Sequence, residues 1–379
     1  MQIGTSDNSG VSELSDEVVL ELLKRYRYGI APWLDIIDMK HFFGSEVLHL
    51  STISAPIRYA VLALANQSLN GINLNLTIPA HHHRLDSIEE MAHNSLLDVL
   101  EMIKIAVGDL STFWLQNGTT DRMQRVMDTL LQKVNNSSVT SSVFWLMTRL
   151  QLSVALMSPH TVKIPLPASL DPSLCCTISD STDRVLRYAQ EGVGLCVNAT
   201  IFSRGDEDRW QQQRYGMNRV ELWRKLASGF DEWYRHRPQE FHPVIELYPT
   251  DGRHSEDEFP TIVFSSGAAT FANQLCHTGM LLLLQNKPRF ITLPYSDSST
   301  MSLLWQTHRV CGIAVNNDRW DCWDPVLVAS LLAAAGMTTH PSQHRVILCT
   351  LERVQQLTRW NISRQINSLK QEWQHAADW

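Results

Sequence analysis

From about Leu85 to Val107 the apolar residues Leu85, Ile88, Ala92, Leu96, Val99, Ile103 and Ala106 advance by three or four along the chain. That spacing lays them on one stripe of an α-helix, whereas a strand needs alternation by two. Gly108 ends the stripe. The same period recurs at Leu14, Val18, Leu22 and Tyr26, where Ser15 suits the cap and Asp16 and Glu17 suit the positive end. It returns at Ile57, Ala60, Val61, Leu64 and Ala65, in a helix that starts near Ser54 and Pro56 and stops at Asn70-Gly71. Further helices are predicted around 123–134, 143–154, 185–199 and 209–234. No alternation is long enough to build a sheet, and no fixed-period repeat occurs. The sequence therefore predicts an all-α fold, a large irregular helical bundle with little or no sheet.

Two stretches break the period. Residues 158–182 hold four prolines and a run of serine and threonine, which predicts a surface loop. Residues 236–260 form a second irregular segment. With 1–13 as a polar N-terminal tail, residues 14–379 are expected to form a single helical domain. Its last third is the most regular: 264–284 is almost wholly apolar or small, Asp324-Pro325 is a cap with proline at the first helical position, and Gly336 closes that helix. Ile362, Ile366, Leu369 and Trp373 make the closing stripe.

Within "YGIAPWLDIID", residues 28–38, Pro32 stands where the first helix should continue. A proline there loses a hydrogen bond and clashes with the preceding turn. The expectation is that Pro32 ends the helix, so that Trp33 and the following isoleucines turn inward.

Charge and motifs exclude several functions. The net charge of −7 argues against a dominant phosphate-binding surface. The start, "MQIGTSDNSGVSELSDE", lacks the basic and apolar regions of a secretory signal, and "PVLVASLLAAAG" and "GMLLLL" are too short to span a bilayer. An intracellular protein without a membrane segment is expected, and the glycosylation triplets at Asn75 and Asn198 are read as chance matches. The seven cysteines, Cys175, Cys176, Cys196, Cys276, Cys311, Cys322 and Cys349, contain no Cys-x-x-Cys pair. Cys276, Cys311 and Cys349 read as small buried hydrophobes. "HHHR", His81 to Arg84, lacks the i, i+4 spacing of a helical metal pair and is read as a loop. A magnesium-diphosphate site requires carboxylates one turn apart on the pocket-facing side of a helix, whereas Asp318, Asp321 and Asp324 are expected in a loop, with Asp324 read as a helix cap. No nucleophile elbow, phosphate loop or dinucleotide fingerprint occurs, so neither a catalytic residue, a metal nor a cofactor is assigned. Asn273, Gln274 and His277 interrupt the apolar helix "FSSGAATFANQLCHTGMLLLL" and need partners in a core. Asn273 and His277 are the candidate ligand-binding residues, for a small apolar ligand.

Three stretches in order, "LLKRYRYGIAPWLDIIDMKHFFG…LSTISAPIRYAVLALA", "DEWYRHRPQEFHPVIEL…FPTIVFSSGAATFANQLCHTGMLLLLQNKP" and "VCGIAVNND…HRVILCTLERVQQLTRWNISRQINSLKQEW", resemble the regulatory region of fungal zinc-cluster transcription factors. Ala31 to Asp35 match the family's entry break and Pro56 to Ala65 its alanine-rich helix. The resemblance runs from about Leu20 to Trp373. It implies a nuclear transcription regulator, working through protein partners of the transcription machinery or a sensed metabolite on a secondary-metabolism gene set. The family's six-cysteine, two-zinc DNA-binding module has no counterpart here, since no cysteine precedes Cys175. Direct DNA binding by this chain is therefore not expected. The alternative is a ligand carrier or a cofactor-free cyclase or isomerase on the same helical scaffold.

Overall fold

The computed structural model describes residues 14–67, 88–115, 121–134, 138–158, 163–167, 180–204, 216–249, 259–289, 291 and 301–377. The fold is all-α: the described residues are 76% helical, with one small sheet among them. The tail at 1–13, the histidines at 81–83 with Arg84, Cys175 and Cys176 lie outside the described residues. The chain divides into two compact units, one of residues 1–35 and 41–108, the other of residues 36–40 and 109–379.

In the first unit, α1 (Asp16–Arg25) begins where the Ser15 hydroxyl accepts from the Val18 N–H (3.4 Å) and buries Val19 and Leu22. It does not stop at Pro32. It widens into a π-helical turn, Tyr26–Ile30, and continues as α2 (Ala31–Leu34), with Pro32 in the first turn of α2. The π turn is closed by the Ala31 N–H on the Tyr26 carbonyl, and Pro32 stands in the first turn of α2, where a missing N–H is tolerated, so the chain passes through the residue expected to stop it. The end comes at Asp35, whose buried carboxylate accepts from the N–H groups of Phe43 and Gly44, both at 2.8 Å. The Tyr26 hydroxyl donates to the Phe43 carbonyl (3.0 Å), tying the π turn to the same loop. Then come α3 (Glu46–Ile53), α4 (Ala55–Gln67) and α5 (Ile88–Gly108). The small residues Ala60, Ala63 and Ala65 are fully buried where α4 packs on α3 and α5. Leu96, Val99, Ile103 and Ala106 of α5 are buried, as the stripe predicted.

The second unit holds α6 (Leu110–Leu115), α7 (Asp121–Lys133), α8 (Ser138–Met157), α9 (Ser181–Ser203) and α10 (Arg219–Arg235), followed by β1 (Ile245–Leu247) and β2 (Thr261–Val263). It ends in α11 (Gly267–Gln285), α12 (Leu303–Asn316), α13 (Pro325–Ala335), α14 (Pro341–Thr358) and α15 (Ser363–Ala377). α9 starts just inside the predicted loop, because Asp180 caps it by accepting from the Thr182 N–H (2.8 Å). The predicted irregular segment at 236–260 contains β1, which pairs antiparallel with β2 in the register Ile245 to Val263 and Leu247 to Thr261. Residues 139–157, within α8, are long and apolar enough to cross a membrane, with a mean hydropathy of 1.2. In the structure the same stretch is 78% buried, and Arg149 sits inside it against Asp324, Nε to Oδ2 at 3.2 Å. Cys276 and Cys311 are buried, but Cys349 is exposed: position 349 lies on the outer face of α14, while Ile347 and Leu351 face the core.

Candidate functional site

The polar residues singled out in the sequence fall on α11, the central helix of the second unit, which packs on α9, α10, α12 and α13. Ser266 caps it, accepting from the Ala269 N–H (3.2 Å). Gly279 lets it approach α10 and α9 closely, since a Cβ there would lie 2.3 Å from Phe230 Cζ on α10 and 3.3 Å from Cys196 Cα on α9. A helix buried on every side must satisfy its polar side chains internally. It does so on two faces.

One face looks to α13. The Gln274 amide donates to the Leu327 carbonyl (2.9 Å) and the Ser330 hydroxyl (3.2 Å), and Thr278 meets Ser330 at 2.5 Å. These bonds stitch two core helices together.

The other face carries Asn273 and His277, one turn apart. Asn273 donates to the carbonyls of Ala269 (2.8 Å) and Phe241 (2.9 Å) and accepts from Arg237 Nη1 (2.6 Å). His277 is 1% exposed and engaged at both ring nitrogens. Arg309 Nε can only donate, and it lies 2.9 Å from Nε2, so Nε2 is the acceptor. The proton therefore sits on Nδ1 and is donated to Gln306 Oε1 at 2.8 Å. Burial, reinforced by the nearby Arg309 charge, holds the imidazole pKa well below its usual value, so the ring is neutral.

Arg309 continues the chain of bonds. It is fully buried, and its Nη1 pairs with the Glu246 carboxylate on β1 and donates to the Tyr248 hydroxyl (2.6 Å). The Tyr248 hydroxyl in turn donates to Glu246 (2.6 Å). Burial pushes the Glu246 carboxyl up, but the hydrogen bonds from Arg309 and Tyr248 outweigh it and leave the pKa below the ordinary value. Burial and the Glu246 contact raise the Tyr248 phenol to about 12. The aromatic rings join the network: Arg237 stacks 3.6 Å above Tyr234, and Arg309 lies 4.8 Å from the Trp305 ring centre.

A narrow cleft opens beside this network, lined by Phe230, Tyr234, Cys276, His277, Met280 and Trp305, with Asp231 and Gln306 also on its wall. It has a volume of about 20 Å³, room for roughly one water molecule. The lining is chemically quiet. Asp231 pairs with Arg235 (3.1 Å), and burial raises the Cys276 thiol to about 12, far from a reactive thiolate. His277 lines the cleft and Asn273 does not, so the structure brings only one of the two candidate ligand residues to it.

Asp318 pairs with Arg353 (2.5 Å), Asp321 with Arg319 (2.6 Å), and Asp324 both caps α13 and faces Arg149. No cluster of three or more metal-ligating side chains occurs among the described residues. Sequence reasoning missed Arg309, Glu246, Tyr248 and Arg237. The available signal was Arg309 itself, a cation in the apolar helix "LLWQTHRVCGIAVN", one turn after Gln306. No family model matches the chain, and no curated protein or solved structure matches it either.

Proposed function

We propose that this chain is the regulatory region of a transcription regulator of the fungal zinc-cluster type, acting in the nucleus on a metabolite gene set through protein partners. The observation that carries the reading is the order of the three resembling stretches, which fall on α1 to α4, on α10 to α11 and on α12 to α15 of an all-helical chain. Two further features support it. The motif residue Asp35 serves as a buried latch for Phe43 and Gly44, a structural duty of the kind an entry motif would carry. The net charge of −7 favours protein partners over unaided contact with DNA.

The cleft beside His277 favours a second reading, a carrier or an isomerase for a small apolar ligand. Its chemistry weighs toward binding and against turnover, since both His277 nitrogens and Asp231 are already engaged.

Fusing residues 14–379 to an unrelated DNA-binding module, and placing that module's site before a reporter gene, tests the regulatory reading. Reporter output should rise or fall several-fold relative to the module alone. Unchanged output from a folded, nuclear fusion would contradict it.

A further inference from the structure

The two strands of the small sheet are held in place by different means. β2 is tied to the end of α12: Asn317 Nδ2 donates to the Ile262 carbonyl (2.7 Å), Asn317 Oδ1 accepts from the Phe264 N–H (3.0 Å), and Asn316 Nδ2 donates to the Pro260 carbonyl (3.3 Å). The Ile262 side chain is buried as well. β1 is exposed at all three of its residues. Besides its pairing with β2, it is joined to the helices through Glu246 and Tyr248, which both meet Arg309 Nη1. A strand with so little burial depends on the few polar contacts that seat it.

The same guanidinium is aimed through Nε at His277 Nε2, and this contact tolerates one protonation state of the ring. Arg309 Nε always carries a proton, so Nε2 must accept. A proton added to Nε2 would set donor against donor, and cation against cation, 2.9 Å apart. The groups around the ring do not relieve that opposition. Arg237, following α10, adds a second positive charge beside Asn273. Asp231 of α10 is paired with Arg235, and the Cys276 thiol on α11 keeps its proton. Glu246 and Tyr248 of β1 are bound to Arg309 itself. Nor can the ring retreat easily, since Nδ1 is bonded to Gln306 and the Tyr234 and Trp305 rings each meet it edge to face, with centres 5.4 Å away. Arg309 has the longer side chain and is the partner that gives way.

We infer that Arg309 is an acid-released latch on β1: a proton taken up at His277 Nε2 drives the guanidinium off Glu246 and Tyr248 and frees the strand, while β2 stays on its asparagines. The proton comes from solvent through the cleft that His277 lines, and it returns there when the pH rises, so the release is reversible. Burial and the Arg309 charge keep the ring neutral near its ordinary titration range, so the latch is closed at neutral pH and opens on the acid side. This inference is independent of the proposed regulatory role.

Hydrogen exchange of the whole chain, read by mass spectrometry from about pH 7 to about pH 4 and corrected for the intrinsic exchange rate, tests it. The segment 243–249 contains the Val244 N–H that donates to the Val263 carbonyl (2.8 Å), and α13 serves as the core reference. Protection across 243–249 should fall about tenfold or more with acid while that of α13 holds. In His277→Gln, which keeps a donor and an acceptor but cannot titrate, the acid loss across 243–249 should largely vanish. Glu246→Gln leaves His277 in place and removes the charge that Arg309 holds, so its 243–249 segment should already exchange faster at neutral pH. An equal acid loss in His277→Gln overturns the inference. So does a native chain in which 243–249 and α13 lose protection together, or a Glu246→Gln chain as protected at neutral pH as the native one.

Discussion

Arg309 links three elements, reaching Glu246 on β1 and His277 on α11 from its own helix, α12. Arg309→Ala would leave a carboxylate and a buried imidazole acceptor without their partner. Because Glu246 keeps 29% of its side chain in water, the cost should sit at the low end of that for broken buried pairs, about 3 kcal/mol by urea denaturation. A loss below about 1 kcal/mol would mean that water replaces the guanidinium freely. His277 sets a pH dependence. Its folded pKa lies well below the unfolded one, so below about pH 6.5 the unfolded chain binds a proton that the folded chain refuses. Its contribution is therefore complete above that pH and is lost progressively as the pH falls toward the folded pKa. His277→Gln keeps a donor and an acceptor but cannot titrate, so its melting temperature should fall less than that of the native chain between pH 7 and pH 5. Parallel acid limbs for the two proteins would show that His277 takes up its proton without opening the core.

At the scale of elements, Gly279 sets the distance between α11 and its neighbours. Gly279→Ala would drive a methyl group into the Phe230 ring, itself buried, and should cost about 2 kcal/mol even after the gain in helix propensity. A neutral or stabilising result would show that the contact has slack. Trp33, 4% exposed in the first turn after the π segment, should cost about 3 to 5 kcal/mol as Trp33→Ala. The helices themselves were legible because their stripes obey one period and their caps are short-range signals: Ser15, Asp324 and Gly336 all stand where the sequence put them. The passage through Pro32 was not legible, since a π turn is held by wider-spaced backbone bonds that no side-chain pattern announces. β1 and β2 were missed because three-residue strands are too short to show alternation. Of the site, Asn273, Gln274 and His277 stood out as polar breaks in an apolar helix. Their partners Arg237, Leu327 and Arg309 lie 32 to 53 positions away for the contacts of His277 and Gln274, and 36 for Arg237 with Asn273. Such pairings belong to tertiary packing and leave no local spacing.

At the scale of the whole molecule, the chain is acidic and mainly helical among its described residues, and in its second unit a buried polar network joins Asn273 and His277 of α11 to Arg237, Gln306 and Arg309. The central claim to test is the proposed regulatory role. Deleting the gene in its native host and measuring transcripts alongside metabolites tests that claim most directly. Transcripts of a defined pathway should rise or fall together, and restoring the chain should reverse the change. Steady transcripts, with one intermediate accumulating and that intermediate converted by the purified protein, would contradict the account and make His277 the first residue to mutate.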